Sequence, residues 1–424
     1  MTILELLSVM VTMAALFGWL SRRWLRLPQT IGTMMLTVVA SLALVSVSNH
    51  FPALKVWAET LLGEINFENL ILHGLLSVLL FAGAFLLDIE SLFAENLSIA
   101  LLAIAGTVAS TLITAGLLYF ALPLLGVHGP AIDCLLFGAL ISPTDPIAVL
   151  EMLKRVGAPK YIQAQLAGES LFNDGVGAVI FLALLEATRG TTPTPAHFLS
   201  ILTVEAGGGL ALGVALAWVT SQLLRRTDAF QVELLLTVSL ATGCYALADH
   251  WDLSAPLAAV AAGIALRRFE RRHPETMISS ERIDSFWEAV DEAMNAVLFV
   301  LVGFEVLAIP FARVPLEIGA LSVAVVTGVR FGVIAVIISA LRWLKSGFRS
   351  SIRILSWGGL RGGLSLALAL SVPHRPGRTW ILVATYSVVL VSIVVQGSSM
   401  EWVLKKLLAE EPASKAEDEV QGIS

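Results

Sequence analysis

The sequence predicts an all-α integral membrane protein of about thirteen transmembrane helices, and three observations carry that prediction. Of 424 residues, 57% are apolar and only 14% charged, whereas soluble domains carry about 25% charged residues. Apolar stretches of roughly 18 residues or more, enough to cross ~30 Å of hydrocarbon, recur from Ile3 to Lys405 with short polar breaks. Lysine and arginine gather in alternate connections. A water-soluble fold is incompatible with the first observation, and a single membrane anchor with the second.

Taken in order, the apolar runs place spans at 3–20, 29–48, 70–88, 98–124, 131–153, 161–187, 198–224, 229–249, 253–267, 287–309, 316–342, 354–372 and 379–405. The first run lacks a basic leader and is followed by Arg22, Arg23 and Arg26 instead of a small-residue cleavage site, so it reads as a retained span. Cys134 and Cys244 fall inside apolar runs and the seven histidines are scattered. Neither residue type implies a disulfide framework, a metal site or a bound cofactor.

With the N-terminus outside, the inward connections hold twenty Lys and Arg residues, and only Lys55, Arg189, Arg313, Arg375 and Arg378 lie outside. This asymmetry follows the positive-inside rule and puts the C-terminal tail in the cytoplasm. The outer loop at 49–69 and the tail 409–424 are too short for an appended domain. The basic, amphipathic stretch from Arg267 to Trp287 is expected along the inner membrane surface.

The fifth and twelfth spans are both expected to break near their middles. Ser142-Pro143-Thr144-Asp145-Pro146 has two prolines in four residues, which remove donors and disfavour helix before them. Gly358-Gly359-Leu360-Arg361-Gly362-Gly363 sets four glycines around one arginine, weakening the helix entropically. The two spans run in opposite directions in this topology. Interrupted segments at matching positions of oppositely oriented halves point to an inverted-repeat transporter with its site at the midplane.

Charges at a span centre cost ~2.5–3.5 kcal/mol each on the insertion scale, so those that persist are paired or functional. Asp145, Glu169, Asp174 and Arg361 stand out, with Thr144, Ser170 and Asn173 as polar neighbours. The helical period sets Ser170 under Asp174 and Glu169 under Asn173. Ser170 and Asp174, with Asp145 and the Thr144 carbonyl, can offer oxygens to a small hard cation. Glu169 is expected to pair with Arg361, whose guanidinium stays charged and presents a planar fork of donors.

Duller readings stand beside these. Asp145 before Pro146 also fits an ordinary helix start, an N-cap with proline at the first position, and both roles can hold at once. Glu205, Glu305 and Arg330 lie within spans without clustered partners in sequence and fit structural pairs or snorkelling side chains. Asp88, at a span end, reads as interfacial.

The Ser142 to Pro146 segment, Gly168-Glu169-Ser170-Leu171-Phe172-Asn173-Asp174 and Gly359-Leu360-Arg361-Gly362 together resemble the sodium/proton exchangers of the electroneutral branch of the cation:proton antiporter superfamily. The resemblance covers the whole membrane region. It implies thirteen spans, a core part at about 98–190 and 315–406, and an interface part at about 1–90 and 198–310 that forms a homodimer. It also implies Na+ (or Li+) bound by Asp174, Asp145, Ser170 and Thr144, a Glu169–Arg361 pair, and one proton exchanged per cation, with no enzyme activity and no nucleic-acid partner. One departure is Phe81-Ala82-Gly83, where many relatives carry glutamate after the phenylalanine. Three other readings stay open: K+/H+ exchange, a channel or carrier of another solute such as an organic anion, and a membrane-embedded aspartyl protease whose two acids share a proton.

Overall fold

The computed structural model describes residues 3–25, 32–33, 35–40, 43, 75–188, 201–227, 229–271, 280–305, 313–344, 352–373 and 375–410. Among these, every element is helical apart from one antiparallel bridge pair, Asp145 with Leu360. We number the helices α1 (Ile3–Leu20), α2 (Leu76–Phe85), α3 (Ile89–Ala94), α4 (Asn96–Leu125), α5 (Ala131–Ile141), α6 (Ile147–Arg155), α7 (Lys160–Ala187) and α8 (Thr203–Leu224). They continue with α9 (Phe230–His250), α10 (Ala255–Arg271), α11 (Ser280–Glu305), α12 (Arg313–Leu344), α13 (Ile352–Gly358), α14 (Gly363–Leu370) and α15 (Arg378–Leu408).

Six of these helices are long and apolar enough to cross a membrane: α4, α7, α8, α9, most of α12, and α15. Such helices are apolar nearly all round, because one side meets other helices and the other meets lipid. Exposed Leu112, Phe120, Leu235 and Val336 are what a lipid-facing surface requires. The expected spans at 131–153 and 354–372 are each divided between two helices, so neither yields one long element. The expected outer loop at 49–69, most of the second span, and residues 411–424 of the tail lie outside the described residues.

Two packing groups emerge. One joins α8, α9 and α10 to α2, with α1 and α2 also against α11; the other joins α4, α5, α7, α12 and α15 around α6, α13 and α14. In the first group α8 and α10 touch through their backbones: a Cβ on Gly209 would lie 2.5 Å from the Ser254 carbonyl, and one on Gly213 2.3 Å from that of Ala258. Glycines four apart on one face create such a close approach in membranes, where van der Waals packing replaces the hydrophobic effect. Helices α7 and α10, and α11 and α14, join the groups.

The stretch expected along the inner surface is tied to the fold where it is described. Arg267 grips Asp284 with two bonds of 2.9 and 2.8 Å, and Arg271 bridges to Asp88 and Glu90, both at 3.2 Å. Trp287 is buried, packs on Phe81 at 4.9 Å between ring centroids and donates its indole N–H to Thr237. An aromatic with a polar handle is stable in a helical interior once that handle finds an acceptor, which is why the residue closing this segment belongs to the core.

Candidate ion-binding site

The site is assembled where two interruptions cross. Helix stops after Ile141 and resumes at Ile147; it stops again after Gly358 and resumes at Gly363. Prolines 143 and 146 account for the first gap, since each lacks a donor and disfavours helix in the residue before it. In the second, Leu360 N–H turns back to the Gly358 carbonyl at 2.9 Å, and Gly362 is extended. The two gaps join through Asp145 N–H, which donates to the Leu360 carbonyl at 2.7 Å. A Cβ on Gly362 would lie 2.6 Å from the Asp145 Cβ, so the crossing requires glycine there.

Each gap leaves carbonyls at the C-terminus of its first half-helix without helical partners, and an arginine answers both. Arg361 Nη1 donates to the Ser142 and Pro143 carbonyls at the end of α5, the latter at 2.8 Å. Arg330, from α12, donates Nη2 to the Leu355 carbonyl at 2.9 Å and Nε to that of Ser356 at 3.3 Å, at the end of α13. A cation at a helix C-terminus satisfies both the orphan acceptors and the negative end of the dipole.

This corrects the expected Glu169–Arg361 pair. Glu169 Oε1 accepts from Arg330 Nη1 at 2.9 Å, with both residues buried. The physical reason lies in space: the Arg330 guanidinium passes so close to Gly359 that a Cβ there would meet its Cζ at 2.0 Å. Arg330 therefore occupies the position beside Glu169 while Arg361 is turned toward the opposite break. The intramembrane charge at Arg330 was visible in the sequence, but its partner, 161 residues away, was not.

Helix α7 clamps the first break from the side. Asn173 Oδ1 accepts the Thr144 backbone N–H at 3.2 Å and its Nδ2 donates to Thr144 Oγ1 at 2.9 Å, while Thr144 Oγ1 and Ser170 Oγ share a hydrogen bond of 2.8 Å. Ser170 and Asn173 thus both face the break, although the helical period sets them on neighbouring stripes. The N-cap position of α6 is taken by Pro146, which offers no side-chain cap of its own.

Thr144, Asp145 and Asp174 line a common cavity of about 590 Å³, which reaches Glu151, Lys154 and Lys160 at one end. Seven carboxylates and two lysines line it, a balance that admits cations and repels anions. Ser170 is not among the lining residues; it stands behind Thr144. The sequence reading missed Asp291 on α11, which also lines the cavity, and Ser392, whose Oγ accepts the Arg361 backbone N–H at 2.9 Å. A carboxylate on the apolar run beginning near 287 was the available signal for the first.

Half-buried acids at the crossing of two interrupted helices, in a cation-admitting cavity within an apolar helical bundle, define a membrane transporter of small cations. The sequence profile described as "Sodium/hydrogen exchanger, transmembrane" matches residues 11–406. The chain is 40% identical over 421 residues to the Na(+)/H(+) antiporter NhaP of Pseudomonas aeruginosa, covering 98% of this chain and 99% of that protein. It is 30% identical over 412 residues to the Na(+)/H(+) antiporter NhaH of Halobacillus aidingensis, covering 96% and 97%. In fold it is similar to the sodium proton antiporter MjNhaP1 of Methanocaldococcus jannaschii at pH 8, with TM-score 0.73 and 19% identity over 96% of this chain and 99% of that one. The chain belongs to the sodium/hydrogen exchanger family.

Proposed function

We propose that the protein is a secondary active transporter exchanging Na+ (or Li+) for H+ across the cell membrane by alternating access of a midplane site. Asp174 and Asp145 take up the ion, with oxygens of Ser170 and Thr144, and Asn173 holds the break in shape. The observation that carries this reading is the pair of acids lining one cavity at the crossing of the two breaks. A bare carboxylate is penalised by burial unless a proton or a cation neutralises it, so the two compete. Because one charge replaces one charge, exchange is electroneutral.

In this reading the chain has thirteen spans in inverted repeats, with α5–α6 and α13–α14 as the two broken helices. The core part comprises about 98–190 and 315–406, the interface part about 1–90 and 198–310, and the protein is a homodimer. The two packing groups support the division. The N-terminus faces outward, and the cavity, with Lys154 and Lys160 at its mouth, opens to the cytoplasm, in accord with the positive-inside rule.

The test is purified protein in liposomes with an enclosed pH-sensitive dye, adding Na+, Li+, K+ or choline in turn. Na+ or Li+ is expected to move protons, with a rate indifferent to an imposed membrane potential. Acidification is expected to raise the apparent KM for Na+ while the maximal rate at saturating Na+ is retained. Cation-independent dye signals would end this account, and a rate that follows the potential would end its stoichiometry.

A further inference from the structure

The wall of the cavity opposite the first break comes from α11, a helix of the other packing group, and it is acidic. Glu288, Asp291 and Glu292 line the cavity at spacings of three and four, the positions that share one helix face. Asn295, one turn further in, is buried and donates Nδ2 to the Asp291 carboxylate at 3.2 Å and to the Asp291 carbonyl at 2.8 Å. This bond orients one carboxylate oxygen and leaves the other for a visitor. Two turns in, Leu298 packs against Gly363, where an added Cβ would lie 2.3 Å from it. Gly363 follows Gly362, which abuts Asp145.

These contacts fix the route. Seven residues of helix separate Asp291 from Leu298, a rise of ~10 Å, so Asp291 stands about two turns outward of the crossing on the path between the mouth and the acids. It lines the same cavity as Asp145 and Asp174. We propose that Asp291 is a further cation-selecting residue of the exchange reaction, receiving the partly hydrated ion from the mouth and passing it to Asp145 and Asp174. The inference rests on the antiport reading and goes beyond it, because it assigns a role to α11.

Sidedness follows from where the residue is built. Asp145 and Asp174 belong to the breaks and α7, whereas Asp291 belongs to α11. When the core moves to expose the acids on the other face, the ion there arrives without passing Asp291. A nearby carboxylate lowers the energy of an approaching cation without altering the step that carries it across, so its effect is on apparent affinity from one side.

The experiment titrates Na+ on each face of membrane vesicles, everted and right-side-out, from cells producing wild type, Asp291→Asn or Asp291→Glu. Neutralisation is expected to raise the apparent KM for Na+ by about three- to tenfold at the cavity face, the scale of one charge ~10 Å away at intermediate dielectric. The KM at the opposite face and the maximal rate are expected to hold. Asp291→Glu is expected to restore the wild-type value, and added choline chloride to narrow the difference by screening. An unchanged KM at the cavity face, an equal rise on both faces, or a reduced maximal rate at constant KM would each overturn the proposal. Absence of Na+-driven proton movement in the wild type would instead remove the antiport reading itself.

Discussion

The two breaks do the same mechanical task with different chemistry. Each ends a half-helix beside the other, each has its orphan carbonyls answered by an arginine, and each has one backbone N–H satisfied by a side chain from a neighbouring helix. At 142–146 these partners are Arg361 and Asn173; at 359–362 they are Arg330 and Ser392. The electrical surroundings differ. Arg330 is closed off by Glu169 at 2.9 Å, whereas the bonds of the Arg361 guanidinium run to backbone carbonyls. One arginine completes a scaffold, and the other is a fixed positive charge beside the acids of the site. Neutral carbonyls hold it without cancelling it, so under the exchange proposed above it would help the site tolerate negative charge between successive occupants.

The largest effect that this comparison predicts is functional. Asp174→Asn preserves shape but cannot trade a proton for a cation, so Na+-driven proton flux in liposomes should fall to background while thermal stability changes by less than about 1 kcal/mol, within the usual range for a non-packing substitution. Substantial residual exchange would move the chemistry to Asp145.

Next in size is the scaffold. Arg330→Ala strands Glu169 in a low-dielectric interior and should cost about 3–5 kcal/mol, with Glu169→Gln also destabilising. A double-mutant cycle measured by thermal unfolding in detergent should show strong coupling between Glu169 and Arg330 and weak coupling between Glu169 and Arg361. The reverse ranking would reinstate the pairing read from the sequence and break the contrast between the two arginines.

How much of this was legible depends on whether the signal was local. Both breaks were, because Pro143, Pro146 and the glycines from 358 to 363 act on their own backbone. The polar stripes of α7 were, because the pairs Ser170 and Asp174, and Glu169 and Asn173, are related by helical period alone. The partner of Glu169 was not: choosing between Arg330 and Arg361 depends on how α12 lies against Gly359, a contact with no trace in spacing. Asp291 was hidden for a related reason, since its importance comes from which wall of the cavity α11 supplies.

Glycine substitutions test the crossing at intermediate scale. At Gly359 an alanine Cβ would meet the Arg330 guanidinium at 2.0 Å, and at Gly362 it would meet Asp145 at 2.6 Å. Both should destabilise by about 1–3 kcal/mol, the usual cost of overpacking. Their transport phenotypes should diverge: Gly359→Ala loosens the scaffold with the apparent KM for Na+ nearly kept, while Gly362→Ala displaces a site carboxylate and raises it. Identical KM values in liposomes would mean that the two breaks are not functionally distinct.

Stability effects of the same size, with the smallest expected differences in transport, come from the side chains that satisfy the backbone N–H groups within the breaks. Asn173 accepts from Thr144 at 3.2 Å, and Ser392 accepts from Arg361 at 2.9 Å while donating to Gln396 Oε1 at 2.7 Å. Ser392 opens a π-helical turn, Ser392–Gly397, where the widened ladder of α15 accompanies the approach of its hydroxyl to the break. Removing either acceptor leaves a buried donor unmet, so Asn173→Ala and Ser392→Ala should each cost about 1–3 kcal/mol in thermal unfolding. Only Asn173 also positions Thr144, which lines the cavity. Asn173→Ala should therefore raise the apparent KM for Na+, and Ser392→Ala should leave it close to wild type. If Ser392→Ala shifted KM as strongly, the second break would have to reach the ion as directly as the first, and the division between a scaffold break and an ion-binding break would fail.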